Sequence, residues 1–199
     1  MTTASTPKGE RRRQALLEAA AELLVEGGFD AIRHRAVAER AGLPLASTTY
    51  YFQSLDELIT AAVDLHGRCE LARGRAMLDE MVECPRGADL LVELVLDQLL
   101  GPVRGNSDHD AEAVLLRYER LVATGRRPYL RPLMLELGAE LRTLLRETLA
   151  RAGAPLDDAR LEQVIALVDG AVVNALIEVN PDPRAAARRM LREALEQPR

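Results

Sequence analysis

The spacing of apolar residues is the feature that most restricts the fold of this chain. Leu, Ala and Val recur three and four positions apart along most of its 199 residues, and no segment shows sustained alternation with β-branched side chains. Such spacing is typical of amphipathic helices. The sequence therefore predicts an all-α protein, which Gly, Pro, Asn and Asp residues divide into about nine helices.

The composition narrows the class of protein further. The chain is 48% hydrophobic and 29% charged, with no apolar run near the roughly 18 residues that span a bilayer, which predicts a globular cytoplasmic protein with no membrane partner. Its two cysteines, Cys69 and Cys84, match no zinc-binding or disulfide pattern, so both are expected to be reduced and at least half-buried. No metal site and no cofactor are predicted.

Charge is unevenly distributed along the chain. The net charge of −5 argues against a surface that is basic throughout, so a nucleic-acid site must be local. Residues 1–55 hold seven basic and six acidic side chains, whereas residues 56–199 hold nineteen and twenty-five. Basic residues also cluster in the first segment, as RRR at 11–13 and RHR at 33–35. A nucleic-acid interface is therefore expected there.

Three helices are predicted in the first segment. An apolar stripe from about Glu10 to Glu26 predicts the first. Two short helices follow, at 34–41 and at 45–52, joined by a turn at Gly42 and begun in the second case by Pro44, whose missing N–H is not needed there. These are the proportions of a helix-turn-helix. The second short helix is then free to enter the major groove of DNA.

Ser54 provides a strong helix-start signal after this unit. In S-L-D-E the Ser54 side chain can cap the next helix while Glu57 reaches back to the cap amide. We therefore predict a helix-turn-helix domain over residues 1–55 and a larger helical dimerisation and ligand-binding domain over residues 56–199. Beyond the helix that runs from Ser54 toward residue 80, helices are expected at 86–103, 109–124, 128–152, 157–179 and 183–196.

The stretch EGGFDAIRHRAVAERAGLPLASTTYYFQSLDELI, residues 26–59, carries a specific motif. Its elements are Gly-Phe-Asp-Ala at 28–31, Val-Ala at 37–38, Ala-Gly at 41–42, Tyr-Tyr-Phe at 50–52 and the helix start at 54–58. In order, spacing and residue type this stretch resembles the DNA-binding signature of the TetR family of bacterial transcriptional regulators. The resemblance covers about the first 60 residues and implies a double-stranded DNA partner.

The resemblance also implies which residues contact DNA. Arg35 falls where the family places a base or phosphate contact, and His34 falls beside a phosphate. Arg11 and Arg12 are candidates for backbone or minor-groove contacts, unless the RRR run is only a solvated terminus. The predicted DNA-binding residues are Arg11, Arg12, His34, Arg35, Pro44, Leu45, Ser47, Thr48, Thr49, Tyr50 and Tyr51.

Three positions depart from the family pattern. Ile32 replaces Thr or Ser, and Leu55 replaces a lysine that contacts a phosphate. Thr49 stands where the most regular tyrosine of the family lies. We therefore expect the phosphate contacts to come from Tyr50 and Tyr51, and the hydroxyl residues at 47–49 to lie nearer the bases.

The aromatic residues at 50–52 are expected to divide between surface and core. Adjacent helical residues point about 100° apart, so Tyr50 and Tyr51 cannot both be buried in a small unit. Tyr51 is expected to be the exposed one. Phe52 is expected to pack on the first helix.

The segment LEQVIALVDGAVVNALIEV, residues 161–179, is apolar over most of its circumference and must be covered on two sides. By resemblance, the last two helices form a four-helix interface between two subunits, here helices 157–179 and 183–196. A homodimer matches a palindromic operator, because its recognition helices lie about one DNA turn apart. A fully internal helix is the alternative. The predicted interface residues are Val164, Leu167, Val168, Ala171 and Ala175.

Polar side chains interrupt the apolar stripes of the middle helices, as in a pocket with apolar walls and a few polar groups. The candidate ligand-binding residues are His66, Cys69, Asp97, Tyr118, Met134 and Asn174, although each is also compatible with an ordinary helix surface. They favour a mainly apolar small molecule. His66 and Cys69 can share a helix face, but the sequence offers no third metal ligand.

These features predict a homodimeric, TetR-like transcriptional regulator. Its expected role is that of a repressor whose affinity for its operator falls when a small effector fills the C-terminal domain. A regulator that acts without a ligand, or that activates transcription, is the alternative. An enzyme is disfavoured because the sequence shows no nucleophile–base pair, metal set or phosphate-binding loop.

Overall fold

The computed structural model describes residues 6–80, 88–103 and 107–196, and across these it contains nine α-helices and no strand. The helices are α1 Pro7–Ala31, α2 His34–Arg40, α3 Leu45–Tyr51, α4 Leu55–Glu80, α5 Ala88–Leu100, α6 Ser107–Thr124, α7 Arg131–Arg151, α8 Asp158–Ile177 and α9 Pro183–Glu196. The all-α, nine-helix prediction is confirmed. The predicted start of the fifth helix, at 86–87, and Cys84 lie outside the described residues. No described helix combines the length and apolarity needed to cross a membrane.

The chain forms two compact units, each with its own apolar core. The first unit is Met1–Cys69 with Glu119–Leu135, and the second is Glu70–Tyr118 with Glu136–Arg199. Helices α4, α6 and α7 therefore contribute residues to both units. The functional division after residue 55 stays a prediction.

Helix α1 is longer at both ends than the apolar stripe indicates. Thr6 caps it, since its Oγ1 accepts a hydrogen bond of 3.2 Å from the Gly9 N–H, and Pro7 occupies the first turn. The expected stop at the glycine pair is a kink, with Gly28 at φ 65°, after which helical structure resumes to Ala31. The kink places Phe29 in the core of the first unit.

Local capping signals start other helices. The Ser54 hydroxyl accepts a hydrogen bond of 3.1 Å from the Glu57 N–H at the start of α4. The Glu57 carboxylate accepts a hydrogen bond of 2.6 Å from the Gln53 N–H. The expected donor is the N–H of Ser54, one residue later. Asp157 caps α8 in the same way through the Arg160 N–H, at 2.8 Å.

A short 3-10 turn, Pro128–Leu130, separates α6 from α7. The sequence predicts one helix over 128–152, whereas in the structure α7 begins three residues later, at Arg131. Pro132 therefore lies in the first turn of α7. Proline fits there because the first-turn N–H groups have no partner within the helix.

The core of the first unit joins the first four helices to the segment around the 3-10 turn. Leu130 from this turn is fully buried in it, beside residues that lie far earlier in the chain. The buried members are Leu16, Leu17, Ala19, Ala20, Leu24, Phe29, Ile32, Val37, Phe52, Leu58, Ile59, Ala62, Val63 and Leu130. The helix-turn-helix is thus packed against residues outside its own sequence.

In the second unit, helices α5 and α9 are joined by ion pairs repeated at every turn. Glu93 pairs with Arg188 at 2.5 Å and Asp89 with Arg192 at 2.6 Å. At the other end, the buried Arg184 pairs with Asp97 and donates a 2.7 Å hydrogen bond to the Gly101 carbonyl. These four-residue steps run in opposite directions along the two helices, which are therefore antiparallel.

Candidate nucleic-acid interface

Helices α2 and α3 meet through a turn whose backbone requires glycine. Gly42 has φ 63°, in the left-handed region that side chains disfavour, and Ala38 receives a 2.9 Å hydrogen bond at its carbonyl from the Leu43 N–H. Pro44 then precedes the first helical residue of α3, as predicted. The helix-turn-helix is confirmed.

The inner face of α3 attaches it to the first unit. Phe52, just after the helix, is buried, and the Arg13 guanidinium lies 5.2 Å from its ring centroid. Thr48 is fully buried and its hydroxyl donates a 2.8 Å hydrogen bond to the Leu45 carbonyl. The prediction that Thr48 contacts DNA is therefore wrong, because Thr48 lies one helical turn before Phe52 and shares its inward direction.

The outer face of α3 is open. Leu45 is 52% exposed and Tyr50 is 80% exposed, and Ala46 and Thr49 lie on the same surface. Ser47 lies at its margin and is half-buried.

The exposure of Tyr50 and Tyr51 is the reverse of what the sequence predicts. Tyr51 is half-buried against the core of the first unit, whereas Tyr50 faces outward. Their rings meet edge to face, with centroids 4.9 Å apart. Tyr51 was expected to be the exposed one, so that prediction is wrong. Its position three residues after buried Thr48 explains the direction.

Helix α2 carries two of the predicted DNA-binding residues, His34 and Arg35. The Arg35 side chain is exposed and forms an ion pair of 3.1 Å with Glu39, one turn later. His34 is half-buried, and its Nδ1 atom is buried without a hydrogen-bond partner among the residues described. A phosphate contact by His34 would therefore have to use Nε2.

The arginines that begin α1 lie on a helix. Arg11 and Arg12 are exposed in its second turn, beside the exposed Lys8. These positions are helical and not frayed, but their exposure is equally that of a solvated segment, so their contact with DNA stays a prediction. An ordered row of cations suits contacts to phosphates.

Other basic residues of the first unit hold its helices together. Arg40 bridges α2 to α1 by ion pairs to Glu22 at 3.2 Å and Glu26 at 2.6 Å. The hydrogen bond from Arg40 lowers the pKa of Glu26. Arg33 donates a 3.2 Å hydrogen bond to the Asp30 carbonyl.

The six predicted ligand-binding residues are divided between the two units. His66, Cys69 and Met134 belong to the first unit, and the other three belong to the second. Cys69 and Asn174 are exposed, so the expectation that Cys69 is at least half-buried is wrong. Asp97 is held in its ion pair with Arg184.

Tyr118 lies within the second core. It is buried, and its hydroxyl donates a 2.7 Å hydrogen bond to Asp169. Burial, reinforced by this carboxylate, raises the pKa of Tyr118, so its hydroxyl stays protonated at neutral pH.

Two polar residues of the second unit were missed by the sequence reasoning. The Gln98 amide donates a 2.7 Å hydrogen bond to the Thr148 hydroxyl, which is itself buried. The Gln98 Oε1 atom is buried and accepts no hydrogen bond from the part of the chain that the structure describes. A glutamine within the most apolar helix, ADLLVELVLDQLL, was the available signal.

The predicted dimer-interface residues point mostly inward. Val164, Val168, Ala171 and Ala175 are buried in the core of the second unit of their own chain, and Leu167 is half-buried. For those four the prediction is wrong, because α9 and α5 of the same chain already cover this side of α8. The exposed side of α8 carries a different apolar stripe, which consists of Ala166, Gly170, Val173 and Ile177.

No three His, Cys, Asp or Glu side chains among the described residues are grouped as metal ligands. His66 instead lies with its Nε2 atom 3.2 Å from the guanidinium of Arg120.

Comparison with known proteins agrees with the helix-turn-helix geometry. One family model, "Bacterial regulatory proteins, tetR family", matches residues 16–62, and another, "Tetracyclin repressor-like, C-terminal domain", matches residues 86–197. The HTH-type transcriptional repressor KstR of Rhodococcus jostii is 33% identical over 92 residues, which are 45% of this chain. The chain thus covers only 40% of the length of KstR.

Solved structures match over nearly the whole chain. The multidrug binding protein EbrR complexed with proflavin is 30% identical, with a TM-score of 0.66 over 92% of this chain and 98% of EbrR. A TetR-family member from Streptomyces coelicolor A3 is also 30% identical, with a TM-score of 0.60 over 92% and 96% of the two chains. The second family model alone spans more than half of the sequence. The chain belongs to the TetR family and is a DNA-binding transcription regulator, not an enzyme.

Proposed function

We propose that this protein is a homodimeric repressor that binds a palindromic operator and is released from it by a small molecule. The observation that carries the proposal is the open outer face of α3, which is held on a packed unit whose helices α1 and α2 also carry exposed cations. A short helix fixed in this way fits the major groove. The cytoplasm is the expected location, since a bacterial operator lies there.

Contacts to phosphates are assigned to the groups around that face. Tyr50 offers an exposed hydroxyl at the end of α3, and Arg11 and Arg12 offer charges at the start of α1. Arg35 can reach a guanine edge or a phosphate if it leaves Glu39, from which it gains little as an exposed pair. Phosphate contacts position the protein, and the residues on α3 read bases.

DNA retardation at about 50 mM salt tests this role, because phosphate contacts are strongest at low ionic strength. Purified protein is expected to retard DNA from around its own gene, and Arg11→Ala with Arg12→Ala is expected to weaken binding to all sequences alike. Arg189→Ala, an exposed arginine on α9, serves as the matched control. Failure of the unmodified protein to retard this DNA would contradict the proposal.

The dimer interface is assigned to the exposed stripe of α8. Ala166, Gly170, Val173 and Ile177 follow one another at steps of four, three and four residues, which places them on one helix face. Ile177 is 73% exposed, and a Cβ at Gly170 would have no described atom within 4 Å. An apolar stripe with a glycine at its centre allows a second α8 to approach closely.

Sedimentation equilibrium tests this assignment. Ile177→Arg is expected to yield monomers and to weaken operator binding, whereas Ala139→Arg, at an exposed position of α7, is expected to leave the dimer intact. A dimer that survives Ile177→Arg unchanged would contradict the assignment.

Ligand release is supported by relatives and by the interior of the second unit. EbrR is described as a multidrug binding protein, in complexes with proflavin, ethidium and malachite green. In this chain, Gln98 supplies a buried acceptor within mainly apolar surroundings. A ligand that binds better to a conformation with misplaced recognition helices shifts the population away from DNA.

Calorimetry without DNA tests for such a ligand, since flat dyes also bind duplex DNA. Proflavin, ethidium or malachite green is expected to bind, with weaker binding to Gln98→Leu and unchanged binding to Thr143→Val, an exposed position. Absence of binding by all three dyes would refute this choice of ligand chemistry. It would favour the alternative, a regulator that acts without a ligand, or an activator.

A further inference from the structure

The chemistry of the outer face of α3 restricts which base features it can recognise. The helix is LASTTYY and contains no Arg, Lys, Asn or Gln, the side chains that form bidentate hydrogen bonds with guanine or adenine. The first turn instead exposes Leu45 and Ala46, which have no hydrogen-bonding groups. Recognition by these two residues must therefore be apolar.

Leu45 is the largest aliphatic side chain on this face. It is 52% exposed, and it does not belong to the core of the first unit. Exposing half of a leucine to water is unfavourable, and its place at the start of a recognition helix puts it where base edges are read. Among the edges of the four bases in the major groove, thymine presents an apolar group, its 5-methyl.

Thr49 lies on the same face, one turn after Leu45. Its hydroxyl donates a 3.3 Å hydrogen bond to the Ala46 carbonyl, so in this arrangement the hydroxyl can only accept from DNA. The amino group of adenine is a suitable donor, and adenine pairs with thymine. Leu45 and Thr49 are thus together suited to an A·T pair.

We infer that Leu45 is a specificity-determining residue that packs against the 5-methyl group of a thymine in each operator half-site. The inference rests on the proposed operator binding and adds the chemical group that is read. Arg35, on α2, remains available for a guanine elsewhere in the half-site.

Replacement of thymine by deoxyuridine tests the inference, because it removes only the methyl group. The operator is first selected with purified full-length protein, and each thymine is then replaced in turn. Burial of one methyl group corresponds to about a four-fold change in affinity, so about four-fold weaker binding is expected at one thymine per half-site.

The Leu45→Ala variant shows whether Leu45 makes the contact. It is expected to bind the thymine and deoxyuridine operators about equally, whereas Leu135→Ala, an exposed leucine of α7, keeps the four-fold difference. Equal binding of both operators by the unmodified protein would overturn the inference while leaving operator binding intact. A four-fold difference that persists in Leu45→Ala would likewise overturn the role of Leu45. Failure to bind any DNA would instead contradict the proposed function.

Discussion

Replacing Leu130 by alanine is expected to destabilise the DNA-binding unit, although Leu130 lies far from the helix-turn-helix in sequence. Its side chain is 0% exposed and packs in a core that includes Leu16 of α1, Phe52 just after α3 and Leu58 of α4. Leu→Ala changes in such cores cost about 2–5 kcal/mol, because apolar contacts are lost and a cavity is left. We expect about 3 kcal/mol.

The matched control is Leu135→Ala. Leu135 has the same side chain five residues later but is 63% exposed, so its truncation is expected to cost less than about 0.5 kcal/mol. For a chain of this length, the expected loss at Leu130 lowers the melting temperature by roughly 6–12 °C.

Thermal unfolding followed by circular dichroism measures the change, and hydrogen exchange locates it. The amides of α1 and α4 are expected to exchange faster in Leu130→Ala, because these helices contribute to the core that the truncation weakens. Operator affinity at 25 °C is expected to fall as well, since α3 depends on the same core. A melting temperature equal to that of Leu135→Ala would refute the reasoning.

Three further perturbations follow from ion pairs. Glu39→Gln is expected to raise operator affinity about two- to five-fold, since it releases Arg35 and removes a negative charge near the phosphates. Arg184→Ala is expected to lower the free energy of unfolding by about 3 kcal/mol, because a buried ion pair loses one partner. The hydrogen bond from Arg188 lowers the pKa of Glu93 below its usual 4.5, so its stabilising effect is present above about pH 5 and is lost as the pH falls through the folded-state pKa. Arg188→Ala should therefore lose less stability than the unmodified protein when the pH is lowered toward about 3.

Each of these three has its own measurement. Retardation assays compare Glu39→Gln with Glu178→Gln, an exposed glutamate on the second unit, and equal affinities would contradict the role of Glu39. Denaturant unfolding compares Arg184→Ala with Arg189→Ala, an exposed arginine of the same helix, and equal midpoints would contradict the role of Arg184. Urea unfolding across the pH range compares the unmodified protein with Arg188→Ala. If the free energy of unfolding depends on pH in the same way in both proteins, the role of Glu93 is contradicted.

Most of the helix-turn-helix could be predicted because its signals are local. Pro44 begins α3, Gly42 allows the turn, and Ser54 with Glu57 starts α4 through bonds between residues three or four apart. Such contacts depend on the order of neighbouring residues and not on how the helices pack.

The directions of side chains on α3 were predicted less well, although part of the signal was present. Burial of Phe52 implies burial of Thr48, one turn earlier, and Tyr51 follows Thr48 by three residues. Tyr50 then has to point outward. Its hydroxyl group makes Thr48 a candidate for a DNA contact, but helical geometry places its side chain in the core.

The helices, their caps and the family motif depend on contacts within a few residues, so the order of amino acids is enough to predict them. Which face of each helix is left open depends instead on how the helices pack. Because α8 is apolar over most of its circumference, its sequence does not distinguish the buried side from the exposed side. In the structure, Val164 and Val168 face the core of their own chain, whereas Val173 and Ile177 are exposed. Likewise, no local pattern places Leu130 in the core of the DNA-binding unit. Packing joins residues distant in sequence, and the hydrophobic effect that drives it has no direction of its own, so the shapes of the partner helices decide the pairing.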